Sequence, residues 1–251
     1  MMKIVGILGA MPEEINEIVA LLDNKQEVIK GMRTYYLGRI NDVAVVVVFS
    51  RWGKVASATT VTHLIVEFGI TELYFTGVAG AIRQDLNIGD VVIANSLVQH
   101  DLDARPIMKQ FEIPLLGKTI LYPPKDILEK SIDKIKETVY HENFLYKFSP
   151  EQIKLFSISK TKVFVGQIAS GDKFFSNGAE KESLLKVLPD LLCVEMEGAA
   201  VAQVCFEYGI PFVVIRIISD TADESSPIDF KEFIAQIASK YVVEIIKNII
   251  E

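Results

Sequence analysis

The sequence predicts an α/β protein built on a mixed, predominantly parallel sheet. Short runs of Val, Ile, Leu and Phe, bounded by Gly, Asn, Asp or Ser, alternate along the 251 residues with amphipathic segments of helical period. Two of these runs, Val43–Phe49 and residues 210–220, are apolar almost throughout, as strands covered on both faces are. No internal repeat, linker or low-complexity stretch interrupts the alternation, so one domain is expected over residues 1–251.

The elements follow in order. Residues 3–8 read as a strand, Gly9-Ala10-Met11 as a tight connection, and Pro12 as the first residue of a helix with Ile15, Ile18, Val19 and Leu22 on its apolar face. Glu13 and Glu14 fall in its first turn, where acids complement the helix dipole. That accounts for one Glu and leaves the other available to a cleft. Residues 34–38 and Val43–Phe49 form two strands around Asn41-Asp42, and a helix covers 55–68. Between them Trp52, the only tryptophan, sits beside Gly53, placed either to pack or to stack on a planar ligand. Residues 72–76 form a strand, and Gly77-Val78-Ala79-Gly80-Ala81 reads as a small-residue loop that lets backbone approach a ligand. It lacks the Gly spacing of a dinucleotide site and the Lys of a P-loop.

A strand over 90–98 leads to His100-Asp101-Leu102-Asp103 and a proline-rich loop, 104–124. A surface helix covers 126–139, and 140–162 shows no clear period. A strand over 163–169 ends in Ser170-Gly171-Asp172, followed by Lys173-Phe174-Phe175. A short helix at 180–188, a strand at 191–194 and a helix from Glu197 to Tyr208 come next, with Gly209 as C-cap. The apolar strand 210–220 ends in Ser219-Asp220, and an amphipathic helix closes the chain over 230–251.

Composition narrows the function classes. Half the residues are apolar, as in globular proteins. A net charge of −7 argues against a nucleic-acid partner, which needs a clustered basic face, but not against an uncharged nucleoside. Cys193 and Cys205 lie in apolar runs and read as buried thiols in a reducing, cytoplasmic setting. The short apolar run at the N-terminus is followed by Pro12-Glu13-Glu14 and reads as a strand rather than a signal peptide. No apolar stretch has the length of a membrane span, and the three scattered histidines form no metal site.

Four apparent strand ends carry acids that could face one cleft: Glu14, Asp172, Glu197 and Asp220. There is no nucleophile elbow, no His beside a candidate nucleophile, and no zinc or calcium spacing. Carboxylates alone suit glycosidic chemistry, with one activating water, one protonating the leaving group, and a further one accepting hydrogen bonds from a vicinal diol.

Five motifs in order then carry a resemblance: Gly9-Ala10-Met11-Pro12-Glu13-Glu14, Phe75-Thr76-Gly77-Val78-Ala79-Gly80, Ser170-Gly171-Asp172, Val194-Glu195-Met196-Glu197-Gly198 and Ile218-Ser219-Asp220. Together they resemble the 5′-methylthioadenosine/S-adenosylhomocysteine nucleosidases of the nucleoside phosphorylase superfamily. The resemblance implies a three-layer α/β/α sandwich around a twisted mixed sheet, a homodimer, adenine nucleosides as ligands, methionine salvage as the setting, and neither metal nor organic cofactor. It implies hydrolysis of 5′-methylthioadenosine, S-adenosylhomocysteine and 5′-deoxyadenosine, with Glu14 as the base on water, Glu197 on the ribose hydroxyls and Asp220 as proton donor to adenine N7. Ser219 would orient Asp220, Met196 pack on the sugar, Phe174 stack on adenine and the Phe175 backbone read its edge. Trp52 and Phe230 would lie near the sugar and the 5′ group, and a partner subunit would add Ala104 and Ile107 from its 100–110 segment. Pro12 replaces a commonly acidic residue, and Val78 stands where many relatives have Ser, shifting the polar company of the attacking water toward Arg216. Arg216, within a buried strand, is itself expected to pair with Glu195. Asp172 is expected near the site, or else in a structural part, and His100 as a loop hydrogen-bonder. Phosphorolysis, cleavage of the larger nucleoside aminodeoxyfutalosine, and a non-catalytic nucleoside-binding or surface interaction role are the competing readings.

Overall fold

A computed structural model describes residues 3–158 and 160–250. Its apolar runs pair into one nine-stranded sheet: β1 (Ile4–Gly9), β2 (Asp23–Lys30), β3 (Arg33–Ile40), β4 (Val43–Phe49), β5 (Glu72–Ala81), β6 (Val91–Gln99), β7 (Val163–Ser170), β8 (Leu191–Glu195) and β9 (Phe212–Asp220). The order is β2-β3-β4-β1-β5-β8-β7-β6-β9, and β9 also pairs with β5. The last strands therefore curl into a closed ring, β5-β8-β7-β6-β9, which leaves none of them an open edge. β1 pairs in parallel with β4 and β5, and β5 with β9, while β2, β3 and β4 run antiparallel.

Helices cover both faces, and the sandwich expected from the sequence is the one observed. On one face α1 (Pro12–Ala20), α3 (Lys125–Tyr140) and α8 (Ser239–Ile249) pack on Val5, Ile7, Val45, Val47, Ile215 and Ile217. On the other, α2 (Lys54–Phe68) and α6 (Gly198–Tyr208) pack on the alternate residues Leu8, Val46, Val48, Phe75, Val214 and Ile218. The period of two along each strand thus divides one apolar run between two cores. Among the described residues no helix is long and apolar enough to cross a membrane. Cys193 and Cys205 are buried free thiols, as expected.

Several boundaries differ from the sequence reading. Gly77–Ala81 is not a loop: β5 runs on to Ala81, because Gly77–Gly80 pair with β9 and Gly80–Ala81 with β8. β2 carries no apolar signal, being almost wholly exposed, and is held by its ladder to β3. The unpatterned 140–162 segment holds a 3-10 turn (Leu145–Lys147) and α4 (Pro150–Leu155), begun by Ser149, which accepts from the Gln152 N–H at 3.2 Å. Helix α5 (Gly178–Val187) begins two residues earlier than expected. The closing segment is not one helix from Phe230; α7 (Ser226–Phe233) passes through a π-helical turn (Ile234–Ala238) into α8. Glu251, the last residue of the expected helix, lies outside the described residues.

Candidate active site

The C-terminal ends of β1, β5, β7, β8 and β9 open onto one pocket, the position at which open α/β sheets hold ligands. It brings together Glu14, Glu195, Glu197 and Asp220 with the aromatic rings of Trp52, Phe174, Phe175 and Phe230.

Glu14 owes its place to the break between β1 and α1. At the third helical position its carboxylate folds back over the helix start, where backbone N–H groups lack intrahelical partners. It accepts from Ala10 N–H at 2.5 Å, Met11 N–H at 3.0 Å and, from the neighbouring strand, Val78 N–H at 3.2 Å. The side chain is 1 % exposed. Burial raises its pKa above the ordinary carboxylate value, outweighing Arg216 and the three N–H donors, which pull the other way. Gly77 is what lets the carboxylate in: a Cβ there would stand 2.7 Å from Glu14 Oε1.

Asp220 is aimed by an irregularity in the ladder. The register of β5 against β9 slips after Ala79, so that Gly80 pairs with Asp220 and Ser219 is left over. Ser219 Oγ donates to Asp220 Oδ2 at 2.8 Å, and Ala222 N–H to Oδ1 at 2.9 Å. Burial raises the Asp220 pKa as well, against these hydrogen bonds and one from Ser226. Glu197 closes the third side. It accepts from Gly53 N–H at 2.8 Å, and burial, together with the Glu195 charge, pushes its pKa up to about 8.

The aromatic rings form a rim. Phe230 meets Trp52 edge-on at 6.0 Å and Phe174 edge-on at 5.5 Å between ring centres. Trp52 is 55 % and Phe174 39 % exposed, so their faces are available at the mouth. A shallower apolar groove continues outward from Met11, Trp52 and Phe230 past Phe49, Arg51 and Lys231.

Ten of the expected site residues line this pocket: Glu14, Trp52, Val78, Phe174, Phe175, Met196, Glu197, Ser219, Asp220 and Phe230. Ala104 and Ile107 stand outside it, in the loop after β6. Asp172 does not face the cleft. Its Oδ1 accepts from Lys54 N–H at 2.8 Å and caps α2, steadying the Gly53 turn that holds Glu197. His100 is no loop hydrogen-bonder at Nε2, which has no hydrogen-bond partner among the described residues; the ring packs edge-on against Phe175 at 5.3 Å. Arg216 does not line the pocket. Its guanidinium donates to Glu195 at 2.7 Å and lies 4.0 Å from the Phe75 ring centre, and Val78 gives its backbone N–H to Glu14. Arg216→Met is expected to lower unfolding stability by about 3–5 kcal/mol, measured with urea at neutral pH, because Glu195 would be left buried without its counter-charge.

What the sequence did not disclose is the pocket's backbone: the N–H groups of Ala10, Met11, Val78 and Gly53 that hold two of the acids. Glu195 and Lys173 also line the pocket without having been assigned to it.

The model of the phosphorylase superfamily matches residues 4–251. The chain belongs to the phosphorylase superfamily. Within this superfamily it is 37 % identical over 238 residues to an aminodeoxyfutalosine nucleosidase of Helicobacter pylori, covering 94 % of each chain. It is 32 % identical over 243 residues to a 5′-methylthioadenosine/S-adenosylhomocysteine nucleosidase of Staphylococcus aureus, covering 96 % of this chain and 97 % of the relative. The crystal structure of the Streptococcus pneumoniae MTA/SAH nucleosidase in complex with 8-aminoadenine matches with a TM-score of 0.82 and 33 % identity, over 98 % of this chain and all of the other.

Proposed function

We propose that this superfamily member is a hydrolase that cleaves the N-glycosidic bond of 5′-methylthioadenosine, S-adenosylhomocysteine and 5′-deoxyadenosine, with the whole chain serving as one nucleosidase domain. The observation that carries the reading is Glu14, an acceptor-only carboxylate held by three N–H groups in the wall of a pocket that a second buried acid, Asp220, also lines. Glu14 takes a proton from water as its oxygen bonds to C1′. The electrons of the C1′–N9 bond pass to adenine, and Asp220 gives its proton to N7. Glu197 accepts from the ribose hydroxyls, Met196 packs on the sugar, Phe174 stacks on the base, the Phe175 backbone reads the base edge, and Ser219 holds Asp220 in plane. Trp52 and Phe230 flank the 5′ group.

Phosphorolysis is disfavoured by the same carboxylate, which would repel a phosphate nucleophile where it activates a water. Purified protein is expected to release adenine from 5′-methylthioadenosine at the same rate with and without phosphate. A strong rise with phosphate would overturn the assignment. Gly77→Ala tests the base from the backbone side: its Cβ would displace the carboxylate, and kcat is expected to fall about 100-fold while the protein stays folded.

The 37 % identity to an aminodeoxyfutalosine nucleosidase and the groove beyond Trp52 favour a second substrate on the same site, a larger 5′-substituted adenine nucleoside. Relative kcat/KM for aminodeoxyfutalosine and 5′-methylthioadenosine separates the two.

The enzyme is inferred to work as a homodimer in the cytoplasm, in methionine salvage. Ile107 is 89 % and Leu115 98 % exposed, in the loop whose Ala104 and Ile107 would complete the 5′ pocket of the opposite subunit. A monomeric mass in solution would remove that part of the reading.

A further inference from the structure

Glu195 is buried at the end of β8, two residues before Glu197, and nothing above gives it a task in turnover. Its hydrogen bonds are unusually complete. One carboxylate oxygen, Oε2, accepts from Glu197 N–H at 3.0 Å, Gly198 N–H at 2.8 Å and the Arg216 guanidinium at 2.7 Å. The other, Oε1, accepts from Gly198 N–H at 3.0 Å and from the Ser170 hydroxyl. Ser170 in turn accepts from Ala199 N–H at 2.7 Å, in the first turn of α6. Every partner is a donor, a pattern that a carboxylate satisfies and a carboxamide cannot.

The geometry has one consequence for the pocket. The donors Glu197 N–H and Gly198 N–H belong to the turn between β8 and α6, and that turn has no side-chain cap of its own. Glu195 ties it to Ser170 at the end of β7 and to Arg216 inside β9, so three strands fix the backbone from which the Glu197 side chain leaves. On its far side the Glu197 carboxylate is held by Gly53 N–H. The charges are arranged to match. Glu195 raises the Glu197 pKa and Arg216 lowers it, so the Arg216–Glu195 pair brings a buried counter-charge near Glu197 without placing a cation in the pocket.

We infer that Glu195, locked by Arg216 and Ser170, is a positioning residue that presents the Glu197 carboxylate to the two ribose hydroxyls. The inference rests on the assignment of Glu197 to those hydroxyls.

The test is a double-mutant cycle of Glu195→Gln and Glu197→Gln, read as kcat/KM for 5′-methylthioadenosine and for its 2′-deoxy analogue. In the Glu195→Gln variant an amide N–H₂ must face donors on one side, displacing the turn. That variant alone is expected to lose about 10- to 100-fold on the ribonucleoside, the range of one charge-assisted hydrogen bond. It should lose markedly less on the 2′-deoxy analogue, and nothing further when added to Glu197→Gln. A merely structural role would lower both substrates equally and multiply with Glu197→Gln; that result, or unchanged turnover by Glu195→Gln, overturns the inference. Near-normal activity of Glu197→Gln would instead remove the assignment of Glu197 itself. Should Glu195→Gln fail to fold, Ser170→Ala deletes a single donor to the same carboxylate and is expected to show a smaller loss with the same dependence on the 2′-hydroxyl. Equal loss on both substrates by that variant overturns the inference as well.

Discussion

Glu14→Gln is expected to abolish most phosphate-independent adenine release from 5′-methylthioadenosine, with kcat falling about 10²- to 10⁴-fold, the usual worth of a positioned general base. The substitution is close to isosteric. Ala10 and Met11 donate to one carboxylate oxygen and Val78 to the other, so the amide can satisfy only one set and its N–H₂ cannot take a proton from water. Affinity for adenine, measured by calorimetry, should change little, because the loss lies in activating water rather than in holding the base. The pH profile gives a second check. Burial holds the Glu14 pKa above the ordinary value of 4.5, and the base works only when ionised. Wild-type kcat/KM should therefore fall as the pH drops through that raised pKa, an acid limb nearer neutrality than a solvated Glu would give. The Glu14 part of that limb should disappear in Glu14→Gln, leaving the part set by Glu197, whose pKa is pushed up to about 8. Retention of near-normal kcat would mean that another group activates the water.

The sequence disclosed the acids and little of what makes them useful. Strand β9 was legible because nine consecutive residues are buried, which leaves a run that is apolar from Phe212 to Ile218 except for Arg216 and ends in Ser219-Asp220. Strand β2 was not, because its sequence, Asp-Asn-Lys-Gln-Glu-Val-Ile-Lys, follows from pairing with β3 and not from burial. Gly77–Ala81 was misread for the opposite reason. Small residues at a strand end look like a loop, yet here Gly77 and Gly80 keep the strand going because Glu14 and Asp220 occupy the space of their missing side chains. Asp172 shows the limit of reading position alone: an acid at a strand end has two uses, and this one caps α2. The pairing of Arg216 with Glu195 was expected from burial, since a cation inside a strand needs a buried anion, but not the hold of Glu195 on the following turn. Backbone donors carry no residue identity, so the cradle of Glu14 could only appear once β5 was laid beside the start of α1.

Asp220→Asn is expected to be the second large effect, and the leaving group decides how large. Asn preserves the size of the side chain and can still accept from Ser219 or Ala222, whose bonds at 2.8 and 2.9 Å orient the carboxyl group, but its amide has no acidic proton to transfer to N7. With 5′-methylthioadenosine kcat should fall about 10²- to 10⁴-fold while KM stays within a few-fold of the wild type. The sign of the pH dependence follows from burial, which raises the Asp220 pKa above the ordinary 3.8. The donor is competent below that raised value, so wild-type kcat/KM should fall as the pH rises through it, forming the alkaline limb opposite that of Glu14. Asp220→Asn should lose the alkaline limb and keep the acid one. A nitrophenyl riboside separates proton donation from any general damage to the site, because nitrophenolate departs without being protonated. Glu14 and Glu197 remain in place in this variant, so Asp220→Asn should cleave that substrate at close to the wild-type rate. Equal losses on both substrates would make Asp220 a residue that shapes the pocket, and adenine would need another source for its proton.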